Sequence, residues 1–432
     1  MSQPSVSEPR APKALWPAPT AAHPVDATVA LPGSKSQTNR ALPLAAIAES
    51  PLVVRRALRS RDTNLMAAAL RALGVAVDDS GEDWTVTPAA LRGPADIDCG
   101  LAGTVARFAV ALASLATGPV RFDGDPRARQ RPLRPLIEGL RQLGVSVDDD
   151  GRGTLPLSIT GTGLVRGGDV VIDSSESSQF ISALLLIASK AGNDTVLRHR
   201  GAALPSEPHI AMTVSMLRDR GIAIDTTEHG TWRVTPGTIA GGVVDIEPDL
   251  SNAGPFLAAA MVTGGSIHIA GWPQHTAQPG DALRGLLTDM GANVSVDETG
   301  LTLRGSPAIH GLDVDLRENS ELSPTIAALA CLADGPSTLR GIGHIRGHET
   351  DRLAALAKEI NGLGGDVTET DDGLVIKPKP LRGGVFGTYD DHRLATSAAV
   401  LGLVVPGVLV ENIATTAKTM PTFVDLWESL LV

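Results

Sequence analysis

Leu70-Arg71-Ala72-Leu73-Gly74-Val75-Ala76-Val77-Asp78 is the stretch that organises the rest of the chain. Its first residues close an amphipathic segment. Gly74 stands where a helix can end through a left-handed residue, and Val75 to Asp78 alternate like a short strand. The same order returns at Leu140–Asp148, Leu217–Asp225, Leu287–Asp297 and Leu356–Val367, with Gly144, Gly221, Gly291 and Gly364 in the place of Gly74. These glycines lie 70–77 residues apart, a longer period than the roughly 20–50 residues of solenoids.

A second pattern occurs six times, once per unit. A polar cluster opens an Ala/Leu-rich helix that stops at Gly or Pro. The openings are Ser36-Gln37-Thr38-Asn39-Arg40, Gly103-Thr104-Val105-Ala106-Arg107, Ser177-Ser178-Gln179, Ser251-Asn252-Ala253-Gly254, Asn319-Ser320-Glu321 and Asp391-His392-Arg393. Helices such as Phe180–Ala188 and Phe256–Val262 are apolar on nearly every face, which predicts burial. Six units of about 70 residues therefore fill the chain. Each reads as short strands around two helices, which sets the class as α/β or α+β.

Composition narrows the function classes. Of 432 residues, 43% are apolar and 20% charged, which excludes a disordered chain. The longest apolar stretch, around Ala398–Val410, is broken by Gly402, Pro406 and Gly407, too short to span a bilayer. A net charge of −11 argues against a non-specific nucleic-acid binder. It leaves room for anionic small substrates held by local basic clusters. Two cysteines, Cys99 and Cys331, exclude a disulfide framework or a Cys-rich zinc module and fit a reducing compartment. Residues 1–24, rich in Pro, Ala and Ser and without an apolar run, are expected to be a mobile tail rather than a secretory signal.

Capping alone accounts for Ser, Asn and Asp at the helix openings. It does not account for Lys35, Arg40, Arg107, His392 and Arg393, because cations at a helix N-terminus oppose the macrodipole unless an anion is bound there. If these ends converge, they make a multi-anion site. The first opening, Leu31-Pro32-Gly33-Ser34-Lys35-Ser36, is not a phosphate-binding loop of the Gly-Lys type, since Ser34 intervenes. Asp125-Pro126-Arg127-Ala128-Arg129-Gln130-Arg131-Pro132-Leu133-Arg134 packs four Arg into a Pro-bounded loop, in a residue type suited to carboxylates and phosphates. His344–Arg352 mixes cations with Glu349 and Asp351, which suits proton transfer beside an anion or, alternatively, a capped helix start.

In order along the chain, Leu-Pro-Gly-Ser-Lys-Ser with Asn39-Arg40, Ala-Gly-Thr with Arg107, Gln130-Arg131-Pro132-Leu133, Ser177-Ser178-Gln179-Phe180, His348-Glu349-Thr350-Asp351-Arg352, Asp391-His392-Arg393 and Ala417-Lys418-Thr419 resemble the 5-enolpyruvylshikimate-3-phosphate (EPSP) synthase family. The resemblance covers about Val25 to the C-terminus. It implies two similar domains, each of three repeated units with buried helices, an inside-out α/β barrel-like arrangement closing on a central cleft. It also implies two crossings between them, near Pro32–Gly33 and near Glu247. Residues 25–32 plus 247–432 would form one domain and 33–246 the other.

The implied reaction moves the enolpyruvyl group of phosphoenolpyruvate to the 5-hydroxyl of shikimate 3-phosphate and releases phosphate, with no metal or organic cofactor. Position by position, the resemblance assigns Lys35, Ser36, Arg40, Ser177, Ser178, Gln179, Ser206, Glu321 and His348 to shikimate 3-phosphate. To phosphoenolpyruvate it assigns Lys35, Gly103, Arg131, Gln179, Arg352, Arg393 and Lys418. Thr104 and Arg107 join the substrate-binding set. Glu321 takes the place of the acceptor for the hydroxyl proton, and Glu349 with Lys35 that of the acid/base at the methylene carbon.

Leu101, Glu321, His209, His344 and His348 depart from the residues common in the family, which bears on local contacts and pH profile. A Lys is common at position 348. A histidine there is expected to become charged beside a bound phosphate, so that affinity falls as pH rises. The expected partners are the two small substrates alone, with no nucleic acid and no membrane, in a cytoplasmic monomer. The rival within the fold, UDP-N-acetylglucosamine enolpyruvyl transferase, usually carries a Cys in the loop matching Asp125–Arg134, and none stands there. A non-catalytic anion-binding relative would be expected to lose Glu321, Glu349 or Lys35, and all three are present. The acidic net charge disfavours a nucleic-acid end-processing enzyme of similar architecture.

Overall fold

The computed structural model describes residues 13–432. Helices Arg61–Ala72, Arg134–Gln142, Glu207–Arg218, Leu283–Asp289 and Arg352–Gly362 each run into one of the repeated glycines. Gly74, Gly144, Gly221, Gly291 and Gly364 have φ between 83° and 103°. The next N–H reaches back over the helix end: Val75 to the Leu70 carbonyl, Val145 to Leu140, Ile222 to Leu217, Ala292 to Leu287 and Gly365 to Ile360, all at 2.9–3.1 Å. This closure needs a left-handed residue, which only glycine supplies without a Cβ penalty. It turns the chain at once into the strands Ala76–Asp78, Ser146–Asp148, Ala223–Asp225, Asn293–Val296 and Asp366–Glu369.

Each of these strands is the edge of a four-stranded sheet. In one sheet the order is Gly242–Asp245, Leu52–Arg55, Trp84–Thr87, Ala76–Asp78, with the first pair parallel and the other two antiparallel. Four further sheets repeat that order and those directions. The sixth has three strands. Gly384–Phe386 lies parallel to Val408–Glu411, whose other side pairs antiparallel with Leu15–Pro17.

That last pairing corrects the expectation of a mobile tail over residues 1–24. Leu15 faces Glu411, Trp16 faces Val410 and Pro17 faces Leu409, while Ala18 and Val25 are buried. The N-terminal segment thus covers the free side of Val408–Glu411. Residues 1–12 lie outside the described residues.

The apolar helices fill the inside and the sheets lie outside them. Lys35–Ala46, Gln179–Ala188, Leu250–Thr263, Ser323–Ala330 and His392–Gly402 are buried over most of their length. So is the helical run Val105–Leu115, apart from its last residue. With few aromatics, Ala and Leu supply most of the burial, and each fully buried Leu or Ile contributes about 1.5–3 kcal/mol. One exception is a ring cluster in which Phe256 meets Phe423 and Trp427 edge-on at centroid distances of 5.9 and 5.6 Å.

Two separate cores result. One gathers residues between Ala41 and Ile246, and the other gathers Ala18, Val25 and Val29 with residues from Leu250 to Leu430. The chain passes between them twice, side by side. Ser34 N–H donates to the Glu247 carbonyl at 2.8 Å and Asp249 N–H to the Pro32 carbonyl at 2.9 Å. Among the described residues no helix is long and apolar enough to cross a membrane.

Candidate active site

The polar openings of the buried helices face one cavity of about 600 Å³ between the two cores. Short acidic and hydroxyl side chains do the capping. Ser34 accepts from Gln37 N–H, Asp249 from Asn252 N–H, Asp351 from Ala354 N–H and Asp391 from Arg393 N–H. The cations beside them are left to line the cavity: Lys35, Arg40, Arg107, Arg131, Arg352, Arg393 and Lys418. Capping thus accounts for the short side chains, and the cations at the openings converge on one cavity.

Backbone and aromatic contacts position these cations. Arg40 donates from Nε to Thr213 Oγ1 at 2.7 Å, from Nη1 to the Ser36 carbonyl at 2.9 Å and from Nη2 to the His209 carbonyl at 3.0 Å. Its guanidinium also lies 5.2 Å from the Phe108 ring centroid. Arg107 lies over Phe180 and donates to the Pro132 carbonyl at 3.2 Å. Arg393 donates to the Ser251 carbonyl at 2.7 Å. Lys35 extends its ammonium to within 3.8 Å of Asp62.

Seven cations face five carboxylates in the cavity lining, so its charge is only partly neutralised from within. Burial lowers the pKa of Lys35, Arg107, Arg131 and Arg393. The guanidinium groups stay charged, at a desolvation cost that a bound anion relieves. Nε of Arg107 and of Arg131 and Oε1 of Gln179 are buried without a partner among the described residues.

The two glutamates sit in opposite electrostatic states. Burial raises the Glu321 pKa, and its carboxylate accepts from Ser251 Oγ at 3.4 Å and lies 3.8 Å from His209 Nε2. For Glu349 burial acts in the same direction, but Lys418 and Arg352 hold it well below the usual carboxylate range. Lys418 Nζ donates to Glu349 Oε1, and Arg352 Nη2 donates to Oε2 at 3.0 Å. Arg352 also forks onto Asp391 at 2.7 and 3.2 Å.

Burial holds the four histidines of the cavity toward the neutral form. Burial pushes His209 down to about 3 and His344 to about 4, and drives His348 and His392 well below the usual value. His348 Nδ1 lies 3.2 Å from Arg352 Nη1, and since the guanidinium has only donors, that nitrogen accepts. An imidazolium at His348 would have to break this bond. In this arrangement the ring is neutral and offers its other N–H. Arg346 pairs with Asp351 and Glu369.

Most of the sequence-predicted residues line the cavity: Lys35, Ser36, Arg40, Gly103, Thr104, Arg107, Arg131, Ser177, Gln179, Glu321, His348, Glu349, Arg352, Arg393 and Lys418. Ser178 and Ser206 do not. Ser178 is buried at the start of its helix. Ser206, at φ 53°, turns its N–H onto the Arg317 carbonyl of the facing half at 3.0 Å. Of the four arginines in the Pro-bounded loop only Arg131 reaches the cavity. Arg129 pairs with Asp123, Arg134 with the Gly151 and Arg152 carbonyls, and Arg127 with Gln130 and the His348 carbonyl.

Asp62 and Asp249 line the cavity as well, and sequence reasoning passed over both. Asp249 carried a signal, since an Asp before a polar helix opening marks an N-cap. It accepts from Lys35 N–H at 3.0 Å across the chain crossing. Asp62 reads as an ordinary first-turn acid and carried none.

The sequence matches the family model of EPSP synthase (3-phosphoshikimate 1-carboxyvinyltransferase) over residues 19–427. The chain belongs to the EPSP synthase family. It is 56% identical over 429 residues to the 3-phosphoshikimate 1-carboxyvinyltransferase of Kocuria rhizophila, covering 96% of each chain. Among solved structures, the EPSP synthase of Acinetobacter baumannii superposes with a TM-score of 0.81 at 24% identity, over 96% of this chain and 97% of that one. The enolpyruvyl transferase NikO of Streptomyces tendae gives 0.74 at 20% identity, over 95% and 96%. The architecture is the two-domain inside-out α/β fold of the EPSP synthases.

Proposed function

We propose that this EPSP synthase family member uses the cavity to join the C2 carbon of phosphoenolpyruvate to the 5-hydroxyl oxygen of shikimate 3-phosphate, releasing phosphate. One observation carries the reading. Seven cations converge with the carboxylates of Glu321 and Glu349, one raised and one depressed in pKa. The substrates bring two phosphates and two carboxylates, and that cationic set matches them.

Glu321 accepts the hydroxyl proton as the oxygen attacks C2, and burial makes it a better base than an exposed glutamate. The electrons of the C2–C3 double bond take a proton at C3 from Lys35, whose ammonium burial weakens. In the second half, the bond to the phosphate oxygen breaks and C3 gives up a proton to re-form the double bond. Glu349, ionised between Lys418 and Arg352, accepts it. Arg131, Arg352, Arg393 and Lys418 hold phosphoenolpyruvate. Arg40, Ser177 and His348 hold shikimate 3-phosphate. The domain division follows the two cores, with crossings at 32–33 and 247. One chain lines the whole cavity, which supports a monomer, and the paucity of cysteine supports a cytoplasmic enzyme.

The discriminating experiment varies the acceptor. Phosphate release from phosphoenolpyruvate is expected with shikimate 3-phosphate and not with UDP-N-acetylglucosamine, and the reverse preference overturns the reading. Neither cysteine lines the cavity. Both thiols are buried, and burial pushes them up to about 12.

Two further outcomes are expected at this site. A Cβ at Gly103 would lie 2.9 and 3.0 Å from the guanidinium nitrogens of Arg131, so Gly103→Ala displaces that group. Glyphosate, the family's inhibitor, is longer than phosphoenolpyruvate and is expected to lose about tenfold or more in affinity, with a smaller rise in the KM for phosphoenolpyruvate. Equal inhibition of both proteins contradicts this. For His348, shikimate 3-phosphate affinity measured from pH 6 to 9 is expected to give parallel curves in wild type and His348→Lys, because the neutral ring takes up no proton. A steeper alkaline fall in the wild type shows that the ring charges on binding.

A further inference from the structure

Asp391, which the Arg352 guanidinium grips with two hydrogen bonds, ends a turn with unusual backbone. Tyr389 and Asp390 both adopt left-handed conformations, at φ 54° and 60°. Two successive non-glycine residues in that region persist only where their surroundings over-determine them. The holding contacts come from three directions. Tyr389 Oη donates to Glu359 Oε1 at 2.5 Å. Thr415 Oγ1 donates to the Asp390 carbonyl at 2.7 Å. Asp390 Oδ1 accepts from Asn412 Nδ2 and from Lys13 Nζ, each at 2.7 Å.

Lys13 comes from the far end of the chain. Its position is fixed by the Leu15–Pro17 strand and by Asn412 N–H donating to the Ala14 carbonyl at 2.8 Å. Asn412 is itself left-handed, at φ 49°. The N-terminal segment thus completes the sixth sheet and grips the residue next to Asp391.

We infer that Lys13 is a positioning residue for the phosphoenolpyruvate half of the cavity, acting through Asp390 on the turn that presents Asp391 to Arg352. It touches no substrate. Losing it removes one of the bonds that hold Asp390 in its left-handed conformation, and relaxation of that residue shifts Asp391 and the guanidinium it orients. A small displacement of a substrate-orienting group costs up to about 10²-fold even when the mutation lies away from the chemistry. The consequence for phosphoenolpyruvate rests on the function proposed above.

The test compares full-length wild type, Lys13→Met, Lys13→Arg, Asp390→Asn and the double variant Lys13→Met/Asp390→Asn. Two readouts are taken: steady-state kinetics, and amide hydrogen exchange of residues 388–393. Expected for Lys13→Met is a roughly tenfold or larger rise in the KM for phosphoenolpyruvate, little change in that for shikimate 3-phosphate, and faster exchange in the turn. Lys13→Arg restores both, and the double variant is no worse than the worse single one. Unchanged exchange in Lys13→Met overturns the inference. So does a loss confined to kcat with both KM values intact, or additive losses in the double variant. Exchange is read without turnover, so absence of enolpyruvyl transfer in the wild type would overturn the proposed reaction while leaving the role of Lys13 in the turn to be decided.

Discussion

Glu321→Gln is expected to lower kcat by about 10²- to 10⁴-fold, the usual worth of a general base, while shikimate 3-phosphate still binds. The amide keeps the shape and the hydrogen bond from Ser251 but accepts no proton. The pH dependence has a definite sign. Burial raises the folded-state pKa of Glu321, and the base must be ionised, so activity rises with pH through a value above the ordinary glutamate range. In the same window the protonated carboxyl is the form that burial favours. Its contribution to stability is therefore full below the unfolded pKa and lost as pH rises through the folded one. Near-wild-type kcat in Glu321→Gln, measured by phosphate release, would reduce Glu321 to a positioning group.

The other large effect concerns Arg352. Its side chain is 3% exposed and grips Asp391, which is fully buried, as well as Glu349. Arg352→Met leaves the Asp391 carboxylate without its guanidinium. Removing one partner of a buried ion pair costs about 3–5 kcal/mol. For a domain of roughly 150–250 residues that corresponds to a Tm lower by about 6–20 °C. Turnover with phosphoenolpyruvate is expected to fall with it.

Glu349 adds a pH signature to this variant. Its folded pKa is depressed, so its contribution is present above the unfolded value and lost as pH falls through the folded one. The stability gap between wild type and Arg352→Met should narrow as the solution is acidified across that window. A melting point at neutral pH within a degree or two of wild type would mean that the network does not support the fold.

Much of the architecture was legible because the backbone demands particular residues at particular places. A helix that must turn into a strand within two residues needs a left-handed residue, and Gly74, Gly144, Gly221, Gly291 and Gly364 announce it. The cations at helix openings were legible for the opposite reason: they are unfavourable there without an anion. What could not be read depends on packing. Four arginines in Asp125–Arg134 are alike in sequence, and only the fold sends Arg131 into the cavity and Arg129 to Asp123. The strand Leu15–Pro17 finds its partner at Val408–Glu411, at the far end of the chain, beyond any local pattern. The neutrality of His348 depends on a lone pair already used by Arg352, and Asp62 shows its part only when the ammonium of Lys35 comes to face it.

The most direct test follows phosphorus-31 resonances in a mixture of phosphoenolpyruvate, shikimate 3-phosphate and the protein. Inorganic phosphate should appear in step with the loss of phosphoenolpyruvate. An equal amount of shikimate 3-phosphate should be converted to a product that keeps its own phosphate and carries the enolpyruvyl group as an ether at the 5-oxygen. Phosphate released without consumption of shikimate 3-phosphate, or an unchanged mixture at substrate-saturating concentrations, would contradict enolpyruvyl transfer at this site.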